Sequence, residues 1–587
     1  MTRPKIARVF ATSCLLAAGL ALGAHHVPAQ ERPGGPPGIQ QRGAPRPGLP
    51  GGRMPRPPRD PREAPTGTSV IRGRIVAADT GAPIRRVQVR AMSGELRESR
   101  LASTDAQGRF ELRDLPAGRW DLSASKAGFV SLRYGQKRPF ESGRPIELGE
   151  GETMPKADFA LPRGGVITGR VLDEFGDPVA NARVMVMRYQ SFQGTRRLVP
   201  TGFGDETDDT GSYRLYGLAP GDYFVSATLR PQGFTDDSSD TTGYAPTYYP
   251  GTGNTAEAGR VSVPLGQEVQ NITFALLPTK AVRITGTVTD SKGERVTSGF
   301  VMLQESVETA PGAMMTMRSG GRVRPDGSFT VANVPAGSYT LMVNTAMGMP
   351  GIDSESAAAP ITVGNEDLNG VNIVTNKGAV VTGQVITDEG VTGKLSTTGL
   401  QVFPQPPRFE PMMGVGPGKV ESDGSFRVNG LRGRRLFRLN GLSPAWTVKA
   451  VLLNGDDITD TPIEFKGDDE TTGLQIVVTD RVSEINGRVT DARGEPTRDY
   501  TVIVFPDDSS KWTYPSRYVR SGRADQEGMF KIRALPPNDE YLAVAVDYLE
   551  EGEGGDPEFL AEMKDRATKV GLGEGEVKAL TLKLINR

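Results

Sequence analysis

The sequence predicts an all-β protein of five tandem β-sandwich domains, and three observations predict it. The 587 residues include 73 glycines and 45 prolines but only 6% aromatic residues, a composition of many turns and short strands. A strand of the pattern apolar–x–Gly–x–apolar occurs five times, at intervals of about 100 residues, which is the size of a domain. Each occurrence is followed by short alternating segments with turns about every 8–12 residues, as in a two-sheet sandwich.

The first element, residues 1–29, is predicted to be a secretory signal peptide. It has a positively charged start, the apolar core VFATSCLLAAGLALGA and small residues before a cut after Ala29. That core is too short for a comfortable membrane span, and no later stretch predicts one. We therefore expect an exported protein that is periplasmic, at the cell surface or extracellular. Residues 30–67, rich in Pro, Gly and Arg, are predicted to form a disordered linker.

Loss of the signal peptide would restrict the chemistry of the mature chain. The one cysteine, Cys14, and both histidines, His25 and His26, precede the cut. Zinc sites, Ser-His-Asp and Cys-His nucleophiles and disulfides would then be excluded, whereas two-carboxylate glycoside hydrolysis would stay open. The net charge is −1, and no sustained Lys/Arg cluster follows the linker, which argues against a nucleic-acid partner. We predict no enzymatic activity and no cofactor.

The five repeated units share one order of elements. Each begins with the glycine strand, and the glycines are Gly73, Gly169, Gly286, Gly383 and Gly487. Each then has a glycine turn followed two residues later by an aromatic residue, in the pairs Gly108–Phe110, Gly211–Tyr213, Gly327–Phe329, Gly424–Phe426 and Gly528–Phe530. A last alternating strand closes each unit, and the fourth unit diverges most. The predicted sandwich boundaries are 68–163, 164–279, 280–376, 377–480 and 481–587.

One helix is predicted, at about residues 556–570. Asp556 is suited to cap it, Pro557 suits its first turn, and Gly571 is expected to end it. The apolar residues expected to face the last sandwich are Phe559, Leu560, Met563, Ala567 and Val570.

An acidic cluster in the second unit is a weak candidate for a calcium site. Its members are Asp205, Glu206, Asp208 and Asp209. Calcium prefers several carboxylate oxygens on an ordered loop, so the residue types fit. The other units repeat the turn and the aromatic residue but not the acids, so we interpret the segment first as a hairpin turn.

The pattern GRVLDEFGDPVANARV, followed by TDDTGSYRLYGLAPGDYFVSA, resembles the carboxypeptidase regulatory-like domain. That family is similar to the transthyretin-like (prealbumin-like) accessory domain of metallocarboxypeptidases and to Cna-B and starch-binding-like sandwiches. The resemblance extends over nearly all of 68–587 and implies tandem Ig-like or prealbumin-like sandwiches. It carries over no catalytic residue, because the zinc-binding catalytic domain is not in this chain. Some Cna-B-like domains form an internal isopeptide bond, for which Lys280 and Asn376 are weak candidates.

The resemblance also implies sugar binding through exposed aromatic rings, which offer a flat apolar face with a polar edge. The candidate ligand-binding residues are Tyr134, Tyr244, Tyr248, Tyr249, Trp512 and Tyr514, with Tyr518 nearby. The alternative is that these residues plug the open ends of the sandwiches.

Two functions follow from the sequence, and a third is the least favoured. The first is a non-catalytic exported protein that recognises polysaccharide or envelope glycan. The alternative is a structural spacer or protein-interaction rod at the cell surface, about 150–200 Å long if the sandwiches lie end to end. The third is a carboxylate-only hydrolase.

Overall fold

The computed structural model describes residues 67–587 except 95–97, 203, 230–241, 306–316, 346–353, 409–414 and 538. The chain divides into two units, Met1–Arg62 and Glu63–Arg587, and the described residues all lie in the second. The predicted signal peptide, its cut after Ala29 and the linker up to residue 66 lie outside the described residues. The described residues form β-strands and one short α-helix, so the predicted all-β class is confirmed.

Buried hydrophobic residues form a separate core in each of the five predicted segments, which we call sandwiches 1 to 5. In chain order the cores run from residue 71 to 161, 167 to 276, 282 to 373, 379 to 478 and 485 to 582. The domain boundaries themselves stay a prediction. One strand, β21 (Pro278–Thr289), runs continuously across the predicted boundary between the second and third segments.

Sandwiches 1 and 2 each consist of two sheets. Sandwich 1 contains β1 (Ser69–Ala77), β2 (Gln88–Ser93), β3 (Glu98–Ser103), β4 (Arg109–Leu115), β5 (Gly118–Ser125), β6 (Leu132–Arg133), β7 (Ile146–Leu148), β8 (Thr153–Met154) and β9 (Phe159–Leu161). Sandwich 2 contains β10 (Gly165–Leu172), β11 (Ala182–Phe192), β12 (Thr195–Pro200), β13 (Asp205–Glu206), β14 (Ser212–Leu218), β15 (Gly221–Leu229), β17 (Thr247–Tyr248), β18 (Val261–Val263), β19 (Glu268–Val269) and β20 (Phe274–Ala275). The sheet orders are β4-β1-β8 with β3-β2-β5-β6, and β14-β10-β19 with β12-β11-β15-β17.

Sandwiches 3 and 4 repeat this two-sheet plan. Sandwich 3 contains β21, β22 (Gly299–Glu305), β23 (Met317–Val323), β24 (Ser328–Pro335), β25 (Gly337–Asn344), β26 (Ser356–Val363) and β27 (Leu368–Val374). One strand of the second segment, β16 (Thr242–Tyr244), pairs with β21 and so extends a sheet of sandwich 3. Sandwich 4 contains β28 (Ala379–Thr387), β29 (Gln401–Gln405), β30 (Gly418–Lys419), β31 (Ser425–Leu431), β32 (Gly433–Asn440), β33 (Thr447–Leu453), β34 (Asp456–Asp457), β35 (Ile463–Phe465) and β36 (Glu470–Thr479). The sheet orders are β16-β21-β24 with β23-β22-β25-β26, and β31-β28-β36-β33-β34 with β30-β29-β32-β35.

Sandwich 5 differs because its two halves join into one continuous sheet. It contains β37 (Glu484–Thr490), β38 (Pro496–Thr497), β39 (Thr501–Pro506), β40 (Arg520–Arg523), β41 (Phe530–Arg533), β42 (Asp539–Val546), β43 (Thr568–Leu572) and β44 (Val577–Ile585). The order is β38-β37-β44-β42-β39-β40, and the halves are joined where β42 runs parallel to β44.

The repeated glycine and the repeated aromatic residue face each other in all five sandwiches. Each opening strand pairs antiparallel with the strand of the aromatic hairpin, and the facing residues are Gly73–Phe110, Gly169–Tyr213, Gly286–Phe329, Gly383–Phe426 and Gly487–Phe530. The opening strand also pairs parallel with the closing strand of its unit. At every one of these glycines a Cβ would fall 1.8 to 2.3 Å from a backbone carbonyl oxygen, so only glycine fits.

The helix is shorter than predicted. It covers Pro557–Met563 (α1) and is followed by a 3-10 turn, Lys564–Arg566. The predicted start is confirmed, because Asp556 accepts the N–H of Glu558 at 3.0 Å. The predicted end is wrong, since Thr568–Leu572, which includes the β-branched Thr568 and Val570, pairs with β42 as strand β43. Val570 therefore enters the sandwich core from a strand, whereas the buried helix face is made by Phe559, Leu560 and Met563.

Sandwich 5 contacts sandwiches 1, 2 and 4. Arg523 Nη2 lies 3.0 Å from Glu141 Oε1 in sandwich 1, and both side chains are buried. In sandwich 2, the Ser191 hydroxyl donates to Asp556 at 2.7 Å. In a rod of sandwiches laid end to end, each sandwich would contact only its neighbours along the chain. The contacts of sandwich 5 with sandwiches 1 and 2 do not fit that arrangement.

Candidate functional site

A cleft of about 570 Å³ lies between sandwiches 4 and 5. Sandwich 4 lines it with residues of β29, β32 and the start of β33, including Trp446 just before β33. Sandwich 5 lines it with the segment from Tyr514 to Arg517, with Arg520 and with the turn around Pro536. The two walls meet where the Gln405 side-chain amide donates to the Tyr514 hydroxyl at 3.2 Å.

Local turns place an aromatic ring on each side of the cleft. Trp446 ends a tight turn in which its N–H donates to the Ser443 carbonyl at 2.9 Å. Its ring packs against the sandwich 4 core and stays partly exposed, and its indole N–H has no hydrogen-bond partner in the described chain. On the other side, the short helix Ser509–Trp512 begins at Asp508, which accepts the Ser510 N–H at 3.0 Å.

Trp512 anchors the segment that carries Tyr514. Its indole N–H donates to the Pro506 carbonyl at 2.8 Å, and its ring packs edge-on against Phe505. Because Trp512 is only 5% exposed, it fixes the chain two residues before Tyr514 without reaching the cleft.

Two arginines of the cleft share the carboxylate of Asp460. Arg517 Nε donates to Asp460 Oδ2 at 2.9 Å, and Arg438 Nη2 lies 3.6 Å from Oδ1. Burial lowers the pKa of Arg438 in spite of that carboxylate. Burial acts the same way on Arg517, but there the attraction of Asp460 prevails and the pKa is raised. The Tyr518 hydroxyl also donates to Asp460, at 3.0 Å.

A second charged group closes the other side of the cleft. Lys449 of sandwich 4 and Arg481, the first residue of the fifth predicted segment, lie 3.1 and 3.2 Å from Glu574 Oε1 of sandwich 5. Both cations also pair with Asp388. The hydrogen bond from Lys449 is the largest reason why the pKa of Asp388 is lowered.

Two of the sequence-predicted aromatic residues make equivalent core contacts. Tyr134 packs edge-on against Phe159 in sandwich 1, and Tyr249 packs edge-on against Phe274 in sandwich 2, each with ring centroids 6.1 Å apart. Both are partly buried against their own sandwich core. Both rings are therefore used, at least in part, in packing within their own sandwich.

The remaining predicted residues are separated by the fold. Tyr248 is 8% exposed and packs with Met187 and Phe224, so it presents no open ring face, and neither does Trp512. The Tyr244 hydroxyl donates to Glu174 at 2.7 Å, on sandwich 2. Of the six candidates, Tyr514 is the one that lines the cleft.

Sequence reasoning missed the residues contributed by sandwich 4. Trp446 and Arg438 lie in the divergent fourth unit, where alignment with the other repeats gave no guide. The available signal was the rarity of tryptophan, since the whole chain has three.

The acidic cluster of sandwich 2 forms part of a turn. Asp208 Oδ1 accepts the N–H groups of Thr210 and Ser212, both at 2.9 Å, and Asp205 accepts the Arg214 N–H at 2.8 Å. In the described part of the chain, no group of three or more His, Cys, Asp or Glu side chains is arranged to hold a metal ion.

The candidate isopeptide residues have other environments. Lys280 is exposed on β21, and the Asn376 side-chain oxygen accepts the Gly378 N–H at 3.0 Å.

The chain is built of tandem β-sandwiches, with a cleft between the fourth and the fifth. Residues 70–162 and 166–276 each match the model of the carboxypeptidase regulatory-like domain, which gives two tandem matches to that family. A search of curated proteins gave no significant match.

Several solved structures show a local likeness at low identity. The TIE protein of Bacillus anthracis is 16% identical over 53% of this chain, with a TM-score of 0.15, and this chain covers 51% of its length. A streptococcal ancillary pilin is 13% identical over 53% of this chain, covered to 98%, with a TM-score of 0.20. A minor pilin of Streptococcus agalactiae is 16% identical over 36% of this chain, covered to 98%, with a TM-score of 0.18. At these TM-scores the likeness supports no functional conclusion.

The helices of residues 67–587, with the gaps given above, are too short or too polar to cross a membrane.

Proposed function

We propose that this is a non-catalytic exported binding protein that takes a carbohydrate in the cleft between sandwiches 4 and 5. The observation that carries the proposal is that Trp446 and Tyr514, from two different sandwiches, both line a cleft of about 570 Å³. Ligand sites typically measure about 300–1,000 Å³, and aromatic rings offer the flat faces on which sugar rings stack. The two matched segments carry the name of a regulatory-like and not of a catalytic domain, which is consistent with a non-catalytic role.

The charges of the cleft support binding rather than hydrolysis. Two-carboxylate glycoside hydrolysis needs a pair of acids about 5–10 Å apart with the bond between them. Glu574 lines the cleft, but Lys449 and Arg481 hold its carboxylate in ion pairs. Asp460 is likewise shared between Arg438 and Arg517. Carboxylates held in ion pairs with the cleft cations are not free to flank a glycosidic bond as this mechanism requires.

The test is glycan-array retention of the purified protein and of the double variant Trp446→Ala/Tyr514→Ala. We expect the variant to lose affinity about tenfold or more, because each lost ring removes on the order of 1 kcal/mol of stacking. Tyr216→Ala is the matched control, since Tyr216 is 39% exposed on sandwich 2, away from the cleft. Retention that is absent in the wild-type protein, or equal in all three proteins, would contradict the proposal.

A structural role at the cell surface is the second candidate. It is favoured by the contacts of sandwich 5 with sandwiches 1, 2 and 4, which link units far apart in the sequence. The glycan screen separates the two functions, because a structural protein would show no cleft-dependent retention.

A further inference from the structure

We propose, resting on the proposed function above, that the ligand of the cleft is an acidic sugar and that Arg520 binds its carboxylate. The ligand class is a glycan whose rings carry carboxylate groups. Arg520 begins β40 and lines the cleft together with Trp446 and Tyr514.

The first argument is the charge balance of the cleft. Its cationic lining residues are Arg438, Lys449, Arg481, Arg517 and Arg520. The carboxylates within 4 Å of these cations in the described chain are those of Asp388, Asp460 and Glu574. Two positive charges are therefore uncompensated, and an anionic ligand would neutralise them where water is partly excluded.

The second argument is the set of contacts that Arg520 makes. Its Nη1 donates to the carbonyl oxygens of Ser516 and Val519 at 3.4 and 3.3 Å, which are long contacts with neutral acceptors. Within the described residues, Arg520 has no carboxylate within 4 Å, and its Nε and Nη2 have no hydrogen-bond partner. Burial lowers its pKa, because the charged form loses water there and no carboxylate lies close enough to offset that loss.

The third argument is geometry. Nε and Nη2 form one edge of a guanidinium group, and their two parallel N–H bonds match the two oxygens of a carboxylate. Arg517 Nε donates to Asp460, and Arg438 Nη2 lies 3.6 Å from the same carboxylate. Of these three arginines, Arg520 is the one with no carboxylate beside its Nε–Nη2 edge in the described chain. The partly exposed Trp446 ring and its unbonded indole N–H add a stacking face and a donor for a ring hydroxyl. A cation beside stacking rings favours a carboxylated sugar over an acidic peptide.

The test compares one sugar with and without its charge. Binding of oligogalacturonate and of its methyl ester is measured by calorimetry with the purified wild-type protein, Arg520→Gln, Arg520→Lys and Arg434→Gln. Arg434 is an exposed arginine of sandwich 4 outside the cleft and serves as the control. We expect the acid to bind the wild type roughly tenfold or more tightly than the ester, because hydrogen bonds between charged groups are the strong ones.

The variants are expected to act on the acid alone. Arg520→Gln should weaken acid binding roughly tenfold and leave ester binding unchanged, and Arg434→Gln should change neither. Arg520→Lys keeps the charge but loses the bidentate edge, so a partial loss confined to the acid is expected. If Arg520→Gln is misfolded by circular dichroism, the Lys variant decides the question.

Three results would overturn the inference, and they can be told apart. Equal binding of acid and ester would leave the carbohydrate proposal standing and remove the acidic class. Binding of polyglutamate as tight as that of oligogalacturonate would replace the sugar with an acidic peptide. Binding of no glycan, neutral or acidic, would remove both proposals.

Discussion

Trp512 and Tyr514 show how two aromatic residues in one short sequence acquire different roles. Trp512 is buried under α1 with its N–H bonded to a backbone carbonyl, while Tyr514 lines the cleft between sandwiches 4 and 5. The Trp512 ring packs with Phe505, Phe559 and Leu560, so its surface is used inside sandwich 5. Whether a ring is exposed depends on which residues pack over it, and the sequence KWTYPSRY alone does not predict those residues.

At the residue scale we predict that Gly286→Ala destabilises sandwich 3. A Cβ there would lie 2.0 Å from the Val371 carbonyl oxygen and 2.8 Å from the Phe329 ring. Overpacking of this kind costs about 1–3 kcal/mol, because backbone and ring must both shift. The check is the calorimetric unfolding temperature, with Gly364→Ala as the control because no atom lies within 4 Å of its Cβ position. Equal effects of the two substitutions would contradict the close-approach explanation.

At the element scale, the turn before each aromatic residue is closed by an aspartate. Asp105, Asp326 and Asp423 each accept an N–H two residues further along the chain at 2.9 Å, as Asp208 does in sandwich 2. In each turn the carboxylate accepts a backbone N–H group that has no carbonyl partner in a sheet. Aspartate is favoured at such positions for this reason. In the fifth unit Asp525 likewise accepts the Glu527 N–H at 2.9 Å. Asp208 of the second unit is therefore part of a feature that all five units share, and only its acidic neighbours differ.

These aspartates predict an acid-sensitive contribution to stability. The pKa of Asp208 is lowered from 3.8, first by the Thr210 hydroxyl and then by the Ser212 N–H. A carboxyl whose pKa is lowered by folding stabilises the protein fully above its unfolded value, and this contribution is lost as the pH falls through the folded value. We expect the free energy of unfolding, measured between about pH 2 and 5, to fall less steeply in Asp208→Asn than in the wild type.

Asp209→Asn is the matched control for that experiment. Asp209 is the adjacent acid and is exposed, and in the described chain it makes no hydrogen bond or ion pair. We expect its substitution to leave the pH dependence of unfolding as in the wild type. A shallower acid slope in Asp209→Asn, or none in Asp208→Asn, would rule out the turn aspartate as the cause.

At the scale of the whole molecule, the segment 134–144 of sandwich 1 links three sandwiches. The Phe140 ring packs edge-on against Tyr223 of sandwich 2, and Arg188 lies 3.5 Å over its centroid. The Phe140 carbonyl accepts the Glu551 N–H of sandwich 5 at 2.9 Å. Next to it, the ion pair between Glu141 and Arg523 is buried, with side chains 3% and 2% exposed. This segment holds sandwich 5 beside sandwiches 1 and 2.

We predict that Arg523→Met frees this segment. Removing one partner of a buried ion pair costs about 3–5 kcal/mol, because the other charge is left without compensation. Trypsin should then cut after Lys137 faster than in the wild type, since cleavage requires local opening. Arg427→Met, which removes an exposed pair with Glu470, is the control and should leave the cleavage rate unchanged.

The double variant Glu141→Gln/Arg523→Met sharpens the experiment. With both charges gone, no uncompensated charge remains, so we expect part of the protection to return. Equal cleavage of the wild type and Arg523→Met would show that the pair does not hold the segment in place.

The sequence by itself determined the repeated unit. Three local patterns define it: the glycine strand, the aromatic residue two positions after the turn glycine, and the alternating closing strand. Each pattern corresponds to contacts between residues less than about 100 positions apart. The start of α1 was equally local, because Asp556 and Pro557 act on the first turn. The end of the helix could not be predicted locally. Thr568–Leu572 forms a strand because it pairs with β42, which is a tertiary contact.

Tertiary structure alone decided the cleft and the contacts of sandwich 5. Trp446 and Tyr514 come from different sandwiches, and Glu141 and Arg523 are 382 residues apart, so neither pairing leaves a periodic trace in the sequence. Repeats constrain what happens inside a unit because each copy must bury its own core. The packing between units depends on a few loop side chains whose partners lie in other units. Those partners are therefore known only from the tertiary structure.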